Sequence, residues 1–113
     1  MANFFKDNPD LMFTLNHLDL AESTKLQENG YKYAETYDNA PVDYADALDN
    51  FNRVLEVVGE ICGDRIEPRS RTVDAEGPHF ADGVVTYHPL TVQNLKDLTQ
   101  AGLMGVMLGH QYG

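Results

Sequence analysis

The chain has 113 residues, enough for one domain or part of one, and a chain of this size buries roughly 65% of its unfolded surface. Acidic residues outnumber basic ones 18 to 8, giving a formal net charge of −10. That sign argues against nucleic acid and against an anionic membrane surface, since both are bound through Lys and Arg, and the densest basic cluster is only Arg65, Arg69 and Arg71.

Residues 1–10 are a polar lead-in with no basic-then-apolar order, so they do not read as a signal peptide. Asp10 is placed to cap a short helix over Leu11–His17, and Phe4, Phe5 and Phe13 call for burial against another element. A second helix is expected over Leu20–Asn29, closed by Gly30 as a left-handed C-cap. Tyr31, Tyr33 and Tyr37 follow in a stretch whose pattern fits helix, coil or strand. Asp38-Asn39-Ala40-Pro41 then forms a turn cluster.

The strongest periodicity runs from about Val42 to Asp64. Ala45, Leu48, Phe51, Leu55, Val58, Cys62 and Ile66 recur at spacings of three and four, which places them on one stripe of an amphipathic helix capped by Asp43. Gly59 and Gly63 either weaken the last turns or let a neighbouring helix approach closely. Pro68 marks a break or kink, because a proline ring clashes with the carbonyl four residues back. Residues 69–89 read as a long connection, with Asp82-Gly83 as the turn of a small hairpin between Phe80 and Tyr87. A last helix is expected over Thr91–Ala101, capped by Thr91, striped by Leu95, Leu98 and Ala101, and stopped at Gly102. The near-continuous apolar run Leu103–Leu108 follows. The fold class is thus all-α, with at most one short hairpin near 80–87. No segment reaches the roughly 20 apolar residues of a membrane span, and the cytoplasm is the simplest placement.

The residues offer little chemistry. The single cysteine, Cys62, excludes an intrachain disulfide framework and lies among Val57, Val58 and Ile61 as a buried, reduced thiol. His17, His79, His88 and His110 do not pair at metal-ligand spacing, although His79 and His88 flank the hairpin near Asp74 and Glu76. No glycine pattern follows a strand and opens a helix, so no phosphate cradle is indicated. Catalytic, cofactor-binding and metal-ligating residues are each expected to be none.

Taken in order, several segments resemble the start of the longer acyl-CoA dehydrogenases, flavoenzymes with an extra N-terminal helical extension. Residues 7–17, Asp-Asn-Pro-Asp-Leu-Met-Phe-Thr-Leu-Asn-His, resemble that extension. Leu55–Pro68 resembles the proline-ended helix that opens the family's N-terminal domain. Asp74–Gly77 and Asp82–Val85 resemble the loop and hairpin after it. Ala101–Val106 and the closing Gln-Tyr-Gly resemble an Ala-Gly-Leu-x-Gly run leading to Tyr-Gly-Gly, although Gly109, His110 and Gln111 stand where the family often has proline and acids.

The resemblance implies an extension over residues 1–40 and a truncated N-terminal helical domain over residues 41–113. It also implies FAD and an acyl-CoA substrate in the full-length enzyme, where a glutamate from the C-terminal half takes the α-proton and flavin accepts the hydride. None of those parts falls on this sequence, so the chain alone is expected to be inactive and to carry no FAD. Tyr112 and Gly113 are expected to be structural. Leu103–Leu108 is expected to dock against the remaining domains of the enzyme or to self-associate; the alternative is that it folds back on the long helix and finishes the core. From another class, the competing reading is a self-contained acidic helical protein-interaction module without enzyme activity.

Overall fold

An unbroken helix from Tyr44 to Glu76 forms the spine of the protein, seen in a computed structural model that describes residues 2–112. It consists of α3 (Tyr44–Glu60), a π-helical segment (Ile61–Ile66) and α4 (Glu67–Glu76). Asp43 caps it as expected, its carboxylate accepting from the Asp46 backbone N–H at 2.9 Å. Pro68 does not break it, contrary to the sequence expectation. The wider π turn immediately upstream accounts for this: the Glu67 N–H bonds back five residues to the Cys62 carbonyl. Widening the turn there relaxes the crowding that a proline meets in a regular α-turn. The expected connection over residues 69–89 is therefore helix as far as Glu76.

Two short helices precede the spine. In α1 (Pro9–His17) the cap is Asn8 rather than Asp10: its side chain accepts from the Asp10 and Leu11 N–H groups, and Pro9 takes the first helical position, where no donor is needed. Helix α2 (Ala21–Gln27) stops earlier than expected, and Asn29, Gly30 and Tyr31 all take positive φ. A 3-10 turn over Lys32–Glu35 leads to the spine.

Before α1, residues 2–8 lie across the spine. The Phe4 N–H donates to the Gly59 carbonyl at 3.0 Å, and Asn3 Nδ2 donates to the Glu56 carbonyl at 3.0 Å. Phe5 is buried. The close approach expected at Gly59 and Gly63 is thus real, but the neighbour is this N-terminal segment, a turn over residues 4–7, and not a helix. A Cβ on Gly59 would meet the Phe5 nitrogen at 2.7 Å, and one on Gly63 would meet the Ala2 carbonyl oxygen at 2.5 Å.

After α4 comes the expected hairpin, β1 (His79–Ala81) paired antiparallel with β2 (Val84–Thr86). Its two-residue turn, Asp82-Gly83, has positive φ at both positions, the geometry that Asp-Gly favours. Helix α5 (Pro89–Gln100) follows, with His88 as its cap rather than Thr91. The tail makes 3-10 turns over Leu103–Gly105 and His110–Tyr112.

Little of this is core. Among the described residues the buried hydrophobic side chains are Phe5, Ala40, Ala47 and Ile61. Phe4 and Phe13, expected to be buried, are exposed, and Phe13 instead stacks on His17. In the predicted stripe of the spine, Ala45 and Phe51 are exposed and Leu48, Leu55, Val58, Cys62 and Ile66 are only half-buried. In α5, Leu95 and Ala101 are exposed while Asp97 is buried. The accessible surface is 8418 Å², against about 6,200 Å² for a compact monomer of this mass. The radius of gyration is 17.8 Å, against about 13 Å for a compact chain of this length. Helical faces and hairpin therefore stand uncovered, and the run expected to dock or to complete the core is on the outside: Met104, Val106, Met107 and Leu108 are exposed.

Candidate functional site

Three polar junctions tie the elements together. The first joins the spine to α5. Arg65 and Arg69 are four residues apart on the spine, and Gln93 and Asp97 are four apart on α5, so each pair shares one helical face. Arg69 Nη1 donates to Asp97 Oδ2 at 2.6 Å and to Asn94 Oδ1 at 2.9 Å. Gln93 Nε2 donates to Asp97 Oδ1 at 3.1 Å, and Arg65 Nη1 lies 3.6 Å from the same oxygen. The Arg69 guanidinium, followed by the Gln93 amide, holds the Asp97 carboxyl below the usual carboxylate range, against the opposing effect of burial. Beside this junction is an open depression of about 300 Å³ lined by Val57, Glu60, Ile61, Arg65, Asp97, Gln100 and Ala101.

This arrangement has a pH consequence. The depressed pKa means that folding favours ionised Asp97, so its contribution is present above the unfolded value near 4 and is lost as pH falls through the lower folded value. Thermal unfolding followed from pH 5 to pH 2 is expected to show the wild-type midpoint falling more steeply than that of Asp97→Asn. Parallel pH curves would contradict it.

The second junction closes the hairpin. His88 Nδ1 accepts the Leu90 N–H at 3.1 Å, which leaves the proton on Nε2 to donate to Glu76 Oε2 at 2.7 Å. One imidazole thus caps α5 and holds the end of α4. His79, which sequence placed near it as a conceivable metal partner, stays exposed opposite Thr86 in the hairpin register. Among the described residues no group of three or more His, Cys, Asp or Glu side chains is placed to hold a metal ion.

The third junction joins chain regions far apart in sequence. His110 Nε2 lies 2.7 Å from Glu28 Oε2, and the imidazole packs 5.7 Å and 6.3 Å, centroid to centroid, from Tyr33 and Tyr37. Glu28 is buried. Nearby, the Tyr31 hydroxyl is held above its usual range by burial first, then by the carboxylates of Asp43 and Glu28.

Sequence reasoning placed Glu76 near His88 in the second junction, without the bond between them, and assembled neither the first nor the third. The first had a legible signal in the two i,i+4 pairs of complementary polarity, Arg65/Arg69 and Gln93/Asp97. The third had none, because its members share no local pattern. Cys62 is half-buried, not buried, and is unpaired with another cysteine. Chemically, all three junctions are sets of donors and acceptors that hold or bind; Asp97 in particular has its carboxylate engaged by Arg69 and Gln93. Among the described residues, no helix is long and apolar enough to cross a membrane. Comparison with protein families, curated proteins and solved structures returns no match.

Proposed function

We propose that this chain is the N-terminal part of a flavin-dependent acyl-CoA dehydrogenase of the long, N-terminally extended kind. Its work in that enzyme is to pack against the FAD-bearing and catalytic domains and help enclose the acyl-CoA, in the fatty acid metabolism of the cytoplasm. The observation that carries the reading, beside the ordered sequence resemblance, is the uncovered apolar surface: a surface of 8418 Å² with Met104, Val106, Met107 and Leu108 exposed suits a piece that is completed by further polypeptide. Each of those side chains favours burial by about 1.5–3 kcal/mol when fully removed from water. On this reading the residues described here bind no FAD by themselves.

A second reading, a self-contained acidic interaction module, draws on the bond from His110 to Glu28, which ties the tail to the N-terminal region within this chain alone. The transcript separates the two. The first reading expects coding sequence in frame beyond the codon for Gly113, running into a β-rich segment and then a helical segment that bears the glutamate base. It also expects the purified 113-residue chain to be colourless and to reduce no electron acceptor with acyl-CoA. A stop codon directly after Gly113, or stoichiometric FAD on this chain alone, overturns it.

A further inference from the structure

The junction at Glu28 has the makings of a binding site that is already filled. A buried carboxylate and two tyrosine rings meet on one imidazole, and that imidazole comes from 82 residues away. We propose that Glu28, Tyr33 and Tyr37 form a cage for an organic cation of the alkylammonium class, and that His110 of the chain's own tail occupies it in this structure. The inference is independent of the reading under Proposed function.

The chemistry selects a cation. Among the described residues, His110 is the one hydrogen-bond partner that the Glu28 side chain finds, so emptying the cage leaves an uncompensated carboxylate in a largely buried position. The faces of Tyr33 and Tyr37 carry the negative end of the ring quadrupole and attract positive charge within about 6 Å. The His110 ring lies 5.7 Å from Tyr33, within that range, and 6.3 Å from Tyr37, at its edge. Asp43 acts on Tyr31 together with Glu28, so a second carboxylate adds negative charge in this region. An anion would meet Glu28 head on, and a metal ion would find a single carboxylate. The net charge of −10 draws cations towards the whole chain. Tyr33 is exposed along one side, so an incoming group has a way in.

His110 acts as a tethered competitor. A tethered group competes at a fixed effective concentration set by the chain that carries it, and a free cation must overcome it. An alkylammonium that enters displaces the tail from α2 and frees the run Leu103–Leu108 at its distal end.

The test uses the full chain and n-butylammonium chloride, followed through the ring resonances of Tyr33 and Tyr37, with sodium chloride at equal ionic strength as the control. His110→Ala is expected to bind at least ten-fold tighter than wild type, because the competitor is gone. Glu28→Gln or Tyr33→Leu in the His110→Ala background is expected to remove the saturable shift. Tyr33→Leu, at an exposed ring, keeps the test independent of any folding defect at the buried Glu28. In wild type, saturating n-butylammonium is expected to move the His110 imidazole resonance to its solvent-exposed position. Shifts no larger than those from sodium chloride, equal binding by Glu28→Gln/His110→Ala and His110→Ala, or an unmoved His110 resonance overturn the proposal.

Discussion

Replacing Gly59 and Gly63 with alanine is expected to destabilise the protein by about 2–3 kcal/mol and to release the N-terminal segment from the spine, although alanine is the better helix former. Two helical Gly→Ala changes would by themselves stabilise by up to about 2 kcal/mol. Against that stand contacts no side-chain rotation can relieve, since the new Cβ atoms would meet the backbone at Phe5 and Ala2 at 2.7 and 2.5 Å. Moving the segment away gives up the burial of Phe5, worth about 1.5–3 kcal/mol, and the Phe4–Gly59 and Asn3–Glu56 hydrogen bonds, about 1 kcal/mol each. The losses exceed the gain. Denaturant unfolding gives the stability, and hydrogen exchange at the Phe4 amide reports the release. A double variant more stable than wild type, with that amide still protected, would show that the segment is a passive neighbour.

Ile61→Ala is expected to cost about 3 kcal/mol, within the range for truncating a buried isoleucine, and to loosen α5 first. Ile61 is among the few buried hydrophobic residues, and it shares the wall of the 300 Å³ depression with Asp97 and Ala101 of the α5 end. With so thin a core, no second layer of apolar side chains stands ready to collapse into the gap. Amide exchange through Gln93–Gln100 is expected to rise by more than that through Tyr44–Leu55. Equal acceleration along both helices would instead indicate a single cooperative unit and falsify this account of how α5 is held.

How much of this was legible in the sequence depended on how far each determinant reached. The Asp43 cap and the Asp82-Gly83 turn involve partners within three residues, and both were read correctly. The cap at Asn8 was missed by two residues because Asp10 offers the same kind of oxygen acceptor, and that at His88 by three because an imidazole nitrogen caps there in place of the hydroxyl of Thr91. The break expected at Pro68 does not occur, because the rule for proline assumes a regular α-turn before it and the π segment changes that premise. The apolar stripe was correct as a pattern but not as a core, since a stripe records which face avoids water and not whether anything covers it. Asp97 had no place in the sequence reading, because its partner Arg69 comes from another helix. The pairing of Glu28 with His110 spans 82 residues and leaves no periodic trace.

The π segment also sets the phase between the two halves of the spine. Each residue of a regular α-helix advances the side chains by about 100° around the axis, so a turn that holds one residue more rotates everything beyond it relative to what came before. Arg69, which holds Asp97, lies beyond that turn and takes its direction from it. The same residues wound as a regular α-helix would carry Arg69 roughly a quarter of a circle further round the axis, away from its carboxylate, and only the loss of one residue from this stretch would bring it back. The wider turn here serves as the angular setting between the first half of the spine and the half that meets α5. The length of this stretch is therefore as much a part of its information as the identity of its residues.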